Sequence, residues 1–198
     1  PGVNRQVFSP KRTALDVVVR DQIKAARKRD LPKGRRKLPL VLVSSRLDPL
    51  KNHVGVVKAF AHSKKLRNRA NLAIAVRTLD DPLHDYAALS KSERAVMSKL
   101  VAAIDANDLW NVVTAVSLNS QAALAAAYRV LAKRNSVFAL TAFYEPFGLA
   151  PLEAMSCGLP VVVTNNGGPS ESLADGKKEF GVLVDPSDPE DIARGILE

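Results

Sequence analysis

The chain has 198 residues, 46% of them hydrophobic and 5% aromatic, with a net charge of +9. That length suits one good core or two tight small domains, and no apolar run nears the roughly 20 residues that cross a bilayer. A single cysteine, Cys157, excludes an internal disulfide, fits a reducing compartment and reads as a small buried residue.

The first 37 residues hold the charge. They carry twelve Lys or Arg against three Asp, whereas the remainder sums to zero. The densest run is KAARKRDLPKGRRK, residues 24–37. It reads as a solvated linker or surface helix, or as a footprint for a polyanion. No aromatic residues interleave with the charges, which weakens a single-strand nucleic-acid reading.

From residue 38 apolar runs and helical periodicities alternate. Strands are expected over 38–46, 71–77, 111–118, 136–142, 159–164 and 181–185. Helices are expected over 52–66, 91–108, 120–133, 149–157, 169–174 and 188–198. The fourth helix is stopped by Gly158 and Pro160. Six alternations with short connections predict an α/β, Rossmann-like three-layer domain on a six-stranded parallel sheet. The strands are continuously apolar, so both sheet faces are covered. The stretch 77–90 is long for a connection and reads as a mobile loop. Ligands of such sheets bind beyond the C-terminal strand ends, which draws attention to the residues after each strand.

After the first strand comes SSRLDPLKN. Arg46 and Lys51, five apart across a strand-to-helix turn, could converge on one anion with the help of the helix N-terminus. Alternatively, Arg46 pairs with Asp48 and Lys51 faces water. After the fourth strand comes EPFGLAPLE. Pro146 and Gly148 break any continuous helix, so Glu145 is expected on a loop and Glu153 about a turn inside the next helix. A carboxylate accepts two donors at once, and the vicinal hydroxyls of a sugar or ribose would supply them. The amides of Phe147, Gly148 and Leu149 lack intrahelical partners and could donate to the same ligand. In NNGGPSESL, Gly167 and Gly168 allow a tight turn, either structural or in contact with ligand.

Other chemistries are missing from the sequence. There is no GxxxxGK[ST] loop and no GxGxxG after the first strand. His53, His62 and His84 have no metal-ligand spacing, and no Ser-His-Asp set is evident. His53 reads as a surface residue beside the basic turn.

SSRLDPLKNHVGVVKAF, LTAFYEPFGLAPLEAMSCGLPVVVTNNGGPSESL and GVLVDPSDPEDIARGIL together resemble the C-terminal domain of retaining glycosyltransferases of the GT-B fold. SLNSQ and VFALTAFYEPFGLAPLEAM narrow the likeness toward the sucrose-phosphate synthase branch. The resemblance implies a nucleotide-sugar-binding domain over 38–198, preceded by an interdomain linker over 1–37, with the acceptor domain lying outside this chain. It implies UDP-glucose as donor and fructose 6-phosphate as acceptor. It assigns Arg46 and Lys51 to the diphosphate and Glu145 to the donor sugar. Glu153 falls to the ribose, Phe147, Gly148 and Leu149 to sugar and phosphate, and Leu118 and Gln121 to the uracil. No cofactor or metal is required in this reading, and neither nucleic acid nor membrane is a partner. A cytoplasmic location and an inactive isolated fragment are expected. Another retaining enzyme, of mannosyl or trehalose type, and a non-catalytic module using residues 24–37 are the alternatives.

Overall fold

The computed structural model describes residues 2–175 and 178–198. Six parallel strands form the central sheet: β1 (Leu40–Val43), β2 (Asn71–Val76), β3 (Val113–Ser117), β4 (Val137–Leu140), β5 (Val161–Thr164) and β8 (Val182–Val184). Two short strands, β6 (Ala174–Asp175) and β7 (Lys178–Glu179), make a separate antiparallel pair that the sequence did not suggest. The order is β3-β2-β1-β4-β5-β8. Chain order reverses between β1 and β4, and a crevice opens at the C-terminal ends of neighbouring strands at such a switch point.

Each strand divides its side chains between two cores, as period-two geometry requires. Val41 and Val43 enter one core, with α2 (His53–His62), α3 (Lys64–Arg69), α4 (Lys91–Ala106) and α8 (Pro189–Leu197). Leu40 and Leu42 enter the other, with α5 (Gln121–Ala132) and α6 (Leu149–Ser156). Both faces are dry, which explains strands that are apolar without alternation.

The second core contains one more helix. Residues Leu15–Asp30, inside the stretch read as a linker, form α1. Val19, Ile23 and Ala26 are buried against the alanine-rich face of α5. Asp16 and Arg129 tie the two helices together at 2.6 Å. Asp30 accepts from the Ala115 amide at 3.0 Å and the Thr114 hydroxyl at 2.8 Å, which satisfies a donor on the edge strand β3. Residues 15–30 are therefore part of the three-layer unit, and the basic residues decorate a packed helix.

Two other local differences have simple causes. The helix expected over 52–66 is two helices, because Ser63 leaves helical geometry and caps α3 through the Leu66 amide at 3.1 Å. The stretch 77–90 has no regular structure, but Leu79 and Leu83 are buried in the first core and anchor it.

Candidate functional site

The loops after β1 and β4 meet at the switch point. Lys51 ends the short 3-10 turn Pro49–Lys51, whose N-cap Asp48 accepts from the Leu50 amide at 2.9 Å. Asp48 thus caps the turn and makes no ion pair with Arg46. The next residue, Asn52, sits at φ 51°, a conformation asparagine tolerates. Its buried amide donates to the carbonyls of Thr141 (3.0 Å) and Pro186 (2.7 Å), and its oxygen accepts from Gly55 N at 3.1 Å. A Cβ on Gly55 would lie 2.4 Å from that amide nitrogen. Asn52 therefore fixes where Lys51 can point.

Lys51 points at Glu145. Its Nζ donates to Glu145 Oε2 at 2.8 Å, with the two side chains 17% and 13% exposed. The other oxygen, Oε1, accepts from Gly148 N at 3.2 Å and more weakly from Phe147 N at 3.4 Å. Burial opposes ionisation of Glu145. The Lys51 ammonium and the two amides outweigh it and hold the carboxyl below its ordinary value. Glu145 was expected to wait for a ligand's hydroxyls, and Phe147 and Gly148 to offer free amides. In the structure these groups satisfy one another. Among the described residues, the Leu149 amide has no partner.

The twin glycines hold this arrangement from below. Glu145 N donates to Asn166 O at 3.1 Å and Glu145 O accepts from Gly168 N at 2.9 Å, a one-residue parallel bridge. Gly167 has φ 103°, and a Cβ there would lie 2.3 Å from Glu145 O. At Gly168 it would lie 2.5 Å from Pro146 O. Of the two readings offered for these glycines, the structure displays the structural turn.

Beside these loops is a cavity of about 570 Å³. Its walls include Arg46, Leu118, Gln121 and Glu153, with Ser45 and Ala150. Leu118 follows β3, Gln121 opens α5 and Glu153 lies on α6, so three sheet-crest segments converge. Arg46 is exposed and, like Glu153, makes no hydrogen bond or ion pair through its side chain with any described residue. Desolvation pushes the Glu153 carboxyl above its ordinary value. Arg46 and Lys51 therefore do not converge in this structure, since Arg46 faces the cavity and Lys51 faces Glu145.

One residue was misjudged from sequence. His53 is buried, not on the surface; its Nε2 lies 3.0 Å from Ser45 Oγ on the cavity wall. Burial, with some help from Lys51, drives its pKa down to about 4, so the ring is neutral at physiological pH. Its position two residues after a basic turn gave no hint of this. The apolar helix that follows did, because a first-turn residue of a core helix is often buried with it.

Residues 26–198 match the family of glycosyl transferases group 1. The chain belongs to that family. It is 37% identical over 160 residues to sucrose-phosphate synthase of Spinacia oleracea, covering 81% of this chain and 15% of that one. Against sucrose-phosphate synthase of Zea mays the identity is 38%, with 81% and 14% covered. The chain thus spans about 15% of the length of these curated relatives. Among solved structures, sucrose-phosphate synthase from Thermosynechococcus elongatus superposes with a TM-score of 0.68 at 26% identity, over 99% of this chain and 41% of that one. Two others share the fold. Anabaena Alr3699/HepE in complex with UDP-glucose gives a TM-score of 0.69 at 21% identity, covering 99% and 45%. The C-terminal domain of a group 1 glycosyl transferase (LpcC) from Francisella tularensis gives 0.67 at 18%, covering 98% and 85%. Six parallel strands with helices on both faces are the architecture these neighbours share.

Proposed function

We propose that this domain binds the donor, UDP-glucose, of a retaining glycosyltransferase of the sucrose-phosphate synthase type, which passes glucose to fructose 6-phosphate. The observation that carries the reading is the cavity beside the switch point, where Arg46 and Glu153 stand unpartnered among the described residues. A diphosphate offers acceptors to a guanidinium. A ribose diol offers two donors to a carboxylate. The 37% identity to sucrose-phosphate synthase supports the choice of sugar donor and acceptor.

In this reading the uracil lies by Leu118 and Gln121, the ribose on Glu153 and the diphosphate on Arg46. Lys51 releases part of its contact with Glu145 to reach the diphosphate, and Glu145 turns to the hydroxyls of the glucose. As the bond from C1 to the diphosphate breaks, positive charge grows on the sugar ring and negative charge on the departing UDP. Arg46 and Lys51 stabilise the second, and charges fixed in place before the reaction contribute several kcal/mol when water is excluded. Glu145 keeps C1 oriented toward the acceptor. No metal is needed to hold the phosphates, because two cations do so. The acceptor site belongs to a second domain, so the isolated domain binds donor and turns over little or none of it.

Calorimetric titration with UDP tests the reading. Arg46→Ala is expected to weaken binding by about 1.5–3 kcal/mol, the range of a hydrogen bond to a charged group. Unchanged heat from an Arg46→Ala, Lys51→Ala double variant would remove both residues from the site. UDP-glucose is expected to bind more tightly than GDP-mannose or ADP-glucose under the same conditions. The reverse ranking would move the domain to another branch.

A further inference from the structure

At the opposite end of the sheet from the donor cavity, α1, the segment leading into β1 and the end of α5 enclose a second cavity of about 480 Å³. Seven cationic side chains line it: Arg20, Lys24, Arg27, Lys28, Arg36, Lys37 and Arg134. Among the described residues Asp21 is the one carboxylate on the wall, and Arg20 already holds it at 3.1 Å. The other six cations have no ion-pair partner among the described residues.

Basic residues in the last turn of a helix such as α1 are ordinary, because they complement its dipole. Arg27 is not explained that way. It is 4% exposed, and a buried charge normally comes with a counter-charge and a full set of acceptors. Its Nη1 donates to the carbonyls of Arg36 (2.6 Å) and Leu38 (3.1 Å). Its Nε and Nη2 are buried and have no acceptor among the described residues. Burial, aggravated by the nearby Arg134, depresses its pKa to about 10. The fold thus gathers like charges around a hollow and leaves Arg27, on its wall, short of two acceptors among the described residues.

We propose that this cavity is a binding site for a phosphate group, free or as a small monoester. A phosphate brings the missing charge, and its three or four oxygens can accept from several donors at once. The site is concave and of small-molecule volume. Among the described residues no aromatic side chain lines it to stack a base, which separates it from a nucleic-acid track. It also lies at the strand ends remote from the donor cavity, so it is independent of the donor assignment.

The test is a titration of the 198-residue chain with inorganic phosphate and, separately, with glycerol 3-phosphate, each repeated with saturating UDP. Heat gives the affinity, and the Arg27 Nε–H resonance in a nitrogen–proton correlation spectrum gives the location. Saturable binding that shifts the Arg27 resonance and persists in UDP is expected. Tighter binding of the monoester would identify an esterified ligand, and equal or tighter binding of phosphate the free anion. Lys24 and Arg134 are exposed, so Lys24→Ser and Arg134→Ser leave the fold intact. Each is expected to weaken binding roughly tenfold or more. Lys58→Ser and Lys99→Ser, which remove the same charge elsewhere, should leave it within about twofold. The proposal is overturned by any of three results: no saturable binding of either compound, loss of binding when UDP is added, or equal weakening by the pocket and control variants.

Discussion

Two couples of opposite charge stand at the crest of the same sheet, and they differ in who completes them. Lys51 and Glu145 complete each other across loops from β1 and β4, nearly out of solvent, with two amides finishing the carboxylate. Arg46 and Glu153 face a common hollow, touch no partner among the described residues, and differ from their neighbours by only a few positions in the chain. Buried charge must be paired, so the first couple is part of what holds the loops together. The second couple has no protein partner among the described residues, so it is available to a ligand. Residues with the same formal charge in the same two segments are expected to respond in opposite ways to the same substitution.

The hardest way to break this contrast is at Gly167. A Cβ there would meet Glu145 O at 2.3 Å on a backbone with φ 103°. Gly167→Ala should therefore cost about 3 kcal/mol in urea unfolding, from strain plus a broken bridge, and should weaken UDP as well. Stability unchanged within roughly 0.5 kcal/mol would show that Glu145 is positioned without the turn. A sharper comparison pairs Lys51→Met with Arg46→Met. Both remove one positive charge and keep an apolar stem. Lys51→Met strands a carboxylate that is 13% exposed and should cost about 2–3 kcal/mol, less than a fully buried pair because two amides remain. Arg46→Met should stay within about 0.5 kcal/mol of the parent in stability while losing UDP affinity. Equal destabilisation by the two would mean that Arg46 is a structural charge after all.

Much of this was legible in sequence because it rests on local rules. Alternating apolar runs and helical spacings gave the parallel sheet, and the switch point then named the loops to inspect. EPFG followed by a glutamate stood out because carboxylates in apolar surroundings demand partners. The identity of those partners was not legible. Lys51 and Glu145 are 94 residues apart, and nothing in either segment states that they touch. The role of Asn52 was not legible either, since only the fold shows that its amide staples Thr141, just after β4, to the Pro186 loop. The helix α1 was obscured by its own charge. Leu15, Val19, Ile23 and Ala26 do recur at helical spacing, but twelve basic residues in 37 suggested a solvated segment. Long basic side chains can ring a helix whose narrow apolar stripe is buried.

The smallest effect expected on stability lies at Glu153, and its sign separates the two couples. Desolvation raises the Glu153 carboxyl above its ordinary 4.5, so the folded chain binds that proton more tightly than the unfolded one. Stability from this group is present below about pH 4.5 and is lost as pH rises through the higher folded value. Glu145 runs the other way. Its carboxyl is held below 4.5, so its contribution is present above 4.5 and fades as pH falls through the folded value. Glu153→Gln should therefore raise stability slightly at pH 7, by no more than roughly 0.5 kcal/mol for a half-buried group that solvent still screens, with no gain at pH 4. The same variant should weaken UDP by about 1–3 kcal/mol if the ribose is its partner. A variant that lost stability at pH 7 while keeping UDP affinity would put Glu153 among the residues the fold needs. The contrast with Glu145 would then disappear.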